Sequence, residues 1–195
     1  MSKTVQLDEL YNSYKEEFGL KEIVFGDGNK NANIMLIGEA PGKDEVKLLK
    51  PFVGAAGKNL NEFIRLLEID REDLYITNAI KYRLSKLNPI TNRIINRPAE
   101  KKEIELNKKY LYKEIEIISP KYIVTLGNVP LRAIINDSRK VIGELHGREL
   151  NILINGFSFI LFPLYHPASI IYNKNLKDLY INDINEFKKI INCNN

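Results

Sequence analysis

Ile34-Met35-Leu36-Ile37-Gly38-Glu39-Ala40-Pro41-Gly42 decides the fold, because four apolar residues run straight into a turn bracketed by glycines. A short, continuous apolar run ended by turn residues is the pattern of a strand buried on both faces. Three similar runs follow at wide intervals: Leu74 to Thr77, Tyr122 to Leu126 and Phe157 to Leu164. Helical apolar spacing fills the gaps, with Leu60, Phe63, Ile64 and Leu67, then Leu111, Ile115 and Ile118, then Val129 to Ile135. Leu7, Leu10, Tyr11, Tyr14 and Phe18 predict an amphipathic first helix, and Leu176 to Ile191 a closing one. Gly26-Asp27-Gly28-Asn29 is turn chemistry. Strands and helices alternate, and the intervals suit crossover connections. The expectation is an α/β fold, with helices on both faces of a short, mainly parallel four-stranded sheet, and with residues 1–195 forming a single domain. Leu84 to Arg97, with Pro89 and several Asn and Arg residues, reads as an exposed excursion.

Composition narrows the class. At 195 residues and 44% hydrophobic, the chain has enough apolar material for a substantial core. No apolar run approaches the roughly 20 residues that cross a bilayer, and MSKTVQLDELYNSYKEEF lacks the pattern of a secretory signal. A soluble, cytoplasmic protein with no membrane partner is expected. The single cysteine, Cys193, excludes an internal disulfide framework and a multi-cysteine metal site, so no metal is expected. A net charge of +4 permits a polyanionic partner without demonstrating one.

Ligands of open parallel sheets bind beyond the carboxyl ends of the strands. The unusual sequences occur there: Gly38 to Gly42 after the first strand, Asn78 after the second, Gly127-Asn128 after the third, and His166-Pro167-Ala168-Ser169 after the fourth. One pocket can therefore collect Glu39, Asn78 and His166. Gly38 and Gly42 suit either a plain strand-to-helix turn or a loop whose amides approach a ligand closely. Phe52, in Pro51-Phe52-Val53-Gly54-Ala55-Ala56-Gly57, suits either core packing or a ligand platform. Neither the dinucleotide fingerprint nor the Walker phosphate loop occurs.

Taken together, GEAPG (38–42), PFVGAAG (51–57), ITNAIKYR (76–83) and YHPAS (165–169) resemble, in order and spacing, the motifs of family 4 uracil-DNA glycosylases. The likeness runs from about Val24 to the last helix. It implies a three-layer α/β/α sandwich and a monomeric, monofunctional enzyme acting on uracil-containing DNA. Such an enzyme flips uracil out and hydrolyses its N-glycosidic bond, leaving an abasic site. Phe52 would stack on the flipped base, and Asn78 would read its N3–H and O4 edge. Backbone amides near Gly38 and Ala40 would reach the O2 side. His166 would stabilise charge gathering on the departing base. Glu39 would orient water or shield the oxocarbenium-like sugar. Glu45 matches a second acidic position of the family, although its surroundings also suit an exposed helix face. Ser169 and Ile170, with Ile171, fall where the family carries a DNA wedge; a buried helix start is the plainer reading.

Three departures stand out. Family 4 members bind a 4Fe–4S cluster through four cysteines, whereas the corresponding positions here are Tyr11, Tyr14, Tyr82 and Asn107. None supplies a thiolate, so no iron–sulfur cofactor is expected and aromatic packing should staple that corner. His146-Gly147 replaces the usual Arg-Gly, and the segment from Leu84 to Arg97 is longer than usual. Arg83, Arg93 and Arg97 are candidate phosphate contacts whose plain reading is solvated surface. Some relatives link covalently to the DNA sugar through a histidine in an arginine-rich loop, and neither histidine of this chain occupies such a loop. A catalytically silent member that binds damaged or single-stranded DNA, and an enzyme of free nucleosides, are the alternatives.

Overall fold

The computed structural model describes residues 1–137, 139–169 and 175–193. The four expected strands are all present: β2 (Ile34–Gly38), β3 (Tyr75–Asn78), β6 (Tyr122–Leu126) and β8 (Phe157–Leu164). They run parallel in the order β3-β2-β6-β8. The sheet has six strands rather than four, because β1 (Asp27–Gly28) and β7 (Leu150–Ile154) add antiparallel edges. Both escape pattern reading for physical reasons. β1 has two residues and no apolar side chain, and it pairs only because Gly28, at φ +120°, lets backbone lie against Leu74 where a Cβ would meet the carbonyl oxygen at 2.1 Å. β7 is a half-exposed edge joined to β8 by Asn155-Gly156, both at positive φ, which is favoured hairpin chemistry.

Successive residues of the central strands point to opposite faces, and each face is covered by helices. Met35, Ile37, Tyr75, Ile123 and Leu161 pack toward α1 (Lys3–Phe18), α4 (Lys101–Ile118) and α5 (Asn128–Ile135), through Leu7, Leu111, Ile115, Ile118, Leu131 and Ile134. Ile34, Leu36, Ile76, Val124 and Phe162 pack toward α3 (Ala55–Leu67) and α7 (Asn175–Cys193), through Leu60, Phe63, Ile64, Ile184 and Phe187. The result is the three-layer α/β/α sandwich. Two short helices, α2 (Lys43–Leu48) and α6 (Ile142–Leu145), fill loops. Leu84 to Arg97 is an ordered two-stranded ribbon, β4 (Ser85–Leu87) against β5 (Ile94–Asn96), standing apart from the main sheet. Among the described residues, no helix is long and apolar enough to cross a membrane.

A charged pair lies inside the layer of α1 and α4. Lys81 and Glu114, 2% and 0% exposed, form an ion pair behind the end of β3. Lys81 Nζ also donates to Thr77 Oγ1 at 2.9 Å and to the Asn78 carbonyl. Glu114 Oε1 lies 2.6 Å from the Tyr11 hydroxyl and 3.0 Å from that of Tyr75. Burial pulls the lysine pKa down, against the opposing pull of Glu114. Breaking such a pair strands a charge in the core, so Glu114→Ala should destabilise the protein by about 3–5 kcal/mol. Lys81→Met/Glu114→Leu should lose clearly less; urea denaturation of both variants measures the difference.

Candidate active site

The carboxyl ends of β2, β3 and β8 open into a cleft of about 350 Å³, lined by residues that include Ala40, Phe52, Asn78, Asn96, His166 and Ala168. Gly38 and Asn78 are register partners at the ends of β2 and β3. A Cβ at Gly38 would lie 2.5 Å from both Asn78 Oδ1 and the Phe52 ring, so only glycine lets these two side chains close over the strand end. Asn78 is 3% exposed, yet among the described residues its amide makes no hydrogen bond with the protein. An amide that opens on the cleft and has both its donor and its acceptor free of protein partners can pair with a planar polar ligand.

Phe52 is buried and held at φ +53°, a region that a non-glycine residue adopts only when its surroundings enforce it. Three contacts do so. Arg71 donates to the Pro51 carbonyl at 2.9 Å and to the Phe52 carbonyl at 3.4 Å. Glu45 accepts from the amides of Val53 and Gly54 at 3.0 and 2.8 Å. Gly57 leaves room for the Phe52 carbonyl, which a Cβ would meet at 2.0 Å.

His166 follows β8, and its ring centroid lies 6.1 Å from that of Phe52. Gly127, at φ +93°, clears space beside it, and Asn59 of α3 steadies the turn by donating to the Pro167 carbonyl at 3.0 Å. The Ala168 amide donates to His166 Nδ1 at 3.2 Å, so the proton of the neutral ring resides on Nε2. Burial holds its pKa below the ordinary imidazole value, which favours that neutral form. His166 therefore presents a neutral N–H donor to the cleft.

Glu39 stands beside the cleft rather than among its lining residues. Its Oε1 accepts the Ala99 amide at 2.9 Å, and burial raises its pKa, opposed by that hydrogen bond. Glu45 does line the cleft, with its carboxylate occupied by three backbone amides, the third being Gly42 at 3.1 Å. It ties the first two site loops together. Ser169 is outside the lining, its amide donating to the His166 carbonyl at 2.8 Å. Ile170 and Ile171 lie outside the described residues. Arg83 and Arg97 are partnered, Arg83 Nε donating to Asn96 Oδ1 at 3.0 Å and Arg97 pairing with Glu103 through two contacts of 2.7 Å. His146 bonds Asp183 through Nδ1 at 2.8 Å and packs on Tyr165, next to His166.

Asn96, Arg71 and the Ala99 amide were not apparent from sequence. Each reaches the site from a distant segment, and local pattern carries no signal for that.

Tyr11, Tyr14, Tyr82 and Asn107 occupy the positions that the resemblance assigns to cluster cysteines. Tyr14 donates to Asn107 Oδ1 and accepts the Lys81 amide at 3.0 Å. Its ring meets those of Phe18, Phe25 and Tyr110, while Tyr11 stacks on Phe25 at 4.0 Å. Tyr82 packs in the same group. Aromatic side chains fill the corner, the described residues hold no cluster of metal-ligating groups, and the only cysteine is Cys193. These residues do not fit an iron–sulfur cluster.

Comparison with known proteins agrees with this geometry. Residues 25–191 match the family model described as the uracil DNA glycosylase superfamily. A protein of Saccharolobus solfataricus named type-4 uracil-DNA glycosylase is 37% identical over 88% of this chain and 77% of its own length. Proteins of the same name from Sulfurisphaera tokodaii and Archaeoglobus fulgidus are 38% and 37% identical, each over 85% of this chain, and over 71% and 78% of their own lengths.

The tautomer can be checked directly. In nitrogen-15 NMR spectra, His166 should titrate below about 6.5 and show Nε2 protonated and Nδ1 bare at neutral pH. A protonated Nδ1 in the neutral ring would remove the proposed donor.

Proposed function

The chain belongs to the uracil DNA glycosylase superfamily, and we propose that it is a monofunctional DNA repair glycosylase that extracts uracil from DNA and hydrolyses its N-glycosidic bond. The observation that carries this reading is the amide of Asn78, free of protein partners among the described residues and lining a cleft shared with Phe52 and His166. Phe52 forms the stacking platform for a base already out of the helix, which recovers part of the unstacking cost. Asn78 accepts from uracil N3–H and donates to O4. Cytosine, with an unprotonated N3 and an amino group at C4, mismatches both contacts.

Cleavage leaves the bonding pair of the N1–C1′ bond on uracil, and the charge spreads onto O2 and O4. The Nε2–H of His166 stabilises the O2 side without first having to lose a proton, which is preorganised electrostatic stabilisation of a leaving group. Glu39 directs water toward the electron-poor C1′. The Ala99 amide holds one carboxylate oxygen and leaves the other for that water. Glu45 acts as a positioning residue for the two loops. The whole chain is read as one domain working as a monomer, without an iron–sulfur cluster, the aromatic corner taking the cluster's place in holding α1 against α4 and the segment after β3.

A uracil-containing oligonucleotide tests the function: purified protein should release uracil and leave abasic sites that alkali cleaves. An intact oligonucleotide after alkali would refute it. Asn78→Asp should lose uracil excision by orders of magnitude, because an acceptor then faces O4. Any residual activity on unpaired cytosine should rise relative to uracil. Wild-type excision by that variant would show that Asn78 does not read the base. Separately, the purified protein should be colourless and free of stoichiometric iron and sulfide by elemental analysis.

A further inference from the structure

The β4–β5 ribbon has no part in the chemistry above, yet it is built with care. Its tip is closed by Asn88, whose side chain accepts the amides of Ile90 and Thr91 at 2.9 and 3.2 Å. The Asn88 amide in turn donates to the Arg93 carbonyl at 2.8 Å. Its base is braced by the Arg83–Asn96 and Arg97–Glu103 contacts and by the Arg97 amide on the Leu84 carbonyl at 3.0 Å. This is a stiff projection rather than a slack loop.

What it projects is unusual. Ile90 is 92% exposed, and Leu87 and Ile94 are more than half exposed. Solitary exposed apolar residues are ordinary, whereas three on one small ribbon are a surface awaiting a partner. Register gives the direction. Ser85 pairs with Asn96 and Leu87 with Ile94, so these four side chains share one face, with Lys86 and Ile95 on the other. Asn96 lines the cleft, and Leu87 and Ile94 therefore continue the cleft wall outward. Two residues of strand rise set them about 7 Å beyond its rim, about twice the 3.4 Å rise between stacked nucleotides.

Charge identifies the partner. No aspartate or glutamate occurs between Asp73 and Glu100, while Lys81, Arg83, Lys86, Arg93 and Arg97 do. Lys81 is buried, and Arg83 and Arg97 brace the ribbon base. Lys86 and Arg93 remain, and no side-chain hydrogen bond or ion pair engages either one among the described residues. An apolar face continuous with a base pocket, backed by free cations on a strand pair without acids, matches stacked bases flanked by phosphates.

We propose that the β4–β5 ribbon grips duplex DNA beside the extruded nucleotide, an inference that rests on the glycosylase reading of the cleft. Leu87, Ile90 and Ile94 pack against the bases next to the vacated position and hold the gap open. Lys86 and Arg93 lie along the phosphates. The ribbon thus favours double-stranded over single-stranded substrate, because only a stacked duplex offers a gap to fill.

Two variants test this, Leu87→Ser/Ile90→Ser/Ile94→Ser and Lys86→Gln/Arg93→Gln, all at exposed positions and each checked for an unchanged melting temperature. The apolar variant should slow single-turnover excision from duplex DNA by about tenfold or more, because apolar side chains no longer fill the gap beside the extruded nucleotide. Its rate on the same uracil strand left unpaired should stay within about twofold of wild type. For the charge variant, the log–log salt dependence of duplex binding, followed by fluorescence anisotropy, should flatten by about 2, roughly one per phosphate contact. Duplex excision and binding at wild-type levels in both variants would overturn the inference, as would equal losses on duplex and single strand. A wild-type dimer that the apolar variant converts to monomer with excision unchanged would assign the ribbon to self-association instead. If the wild-type protein excised nothing, the glycosylase reading would fall, and the anisotropy measurements would still decide whether the ribbon holds duplex DNA.

Discussion

The site depends on a charge placed where charge is least welcome. Lys81 is buried behind β3 and remains tolerable only because Glu114, Thr77 and the Asn78 carbonyl surround its ammonium group. Geometry follows from that necessity. Glu114 belongs to α4, Thr77 and Asn78 to β3, and Tyr11, on the other side of the carboxylate, to α1. Satisfying one ammonium and one carboxylate thus clamps three elements and fixes the backbone of Asn78 from behind. The Asn78 amide is left facing forward, free of protein partners.

In front, a half-buried carboxylate plays the matching part. Glu45 accepts three amides from two loops, and its tie keeps Phe52 in a backbone region it would otherwise leave. Gly38, Gly57 and Gly127 supply the matching absences, each removing a Cβ where Asn78, the Phe52 carbonyl or His166 must approach. Contacts within the protein itself therefore assemble the cleft, which is the condition for preorganised stabilisation of charge.

Much of this was legible in the sequence. The four parallel strands lie where short apolar runs predicted them, because strands buried on both faces cannot hide their composition. Asn78, Phe52 and His166 share a cleft because strand ends in a parallel sheet converge. The edges were not legible: β1 is two polar residues, and β7 alternates too weakly to stand out, although Asn155-Gly156 is a hairpin signal. The ribbon inside Leu84 to Arg97 was hidden for a related reason, since its apolar residues face solvent and leave no burial pattern. Glu45 reads in the sequence either as a second acidic site residue or as an acid on an exposed helix face, and neither reading gives its contacts. Its partners are backbone amides eight and nine residues away, and no side-chain pattern announces an amide.

The aromatic corner ties α1, α4 and the segment after β3 together by packing and hydrogen bonds. Here the same three segments are joined by Tyr14, which donates to Asn107 of α4 and accepts the amide of Lys81, and by stacked rings from Phe18, Phe25, Tyr82 and Tyr110. Many weak contacts add up to one tie. One hydrogen bond of the corner ends on the backbone of Lys81, the residue whose side chain meets the Asn78 carbonyl. Corner and site therefore share one residue, Lys81, whose backbone amide meets Tyr14 and whose ammonium meets the Asn78 carbonyl.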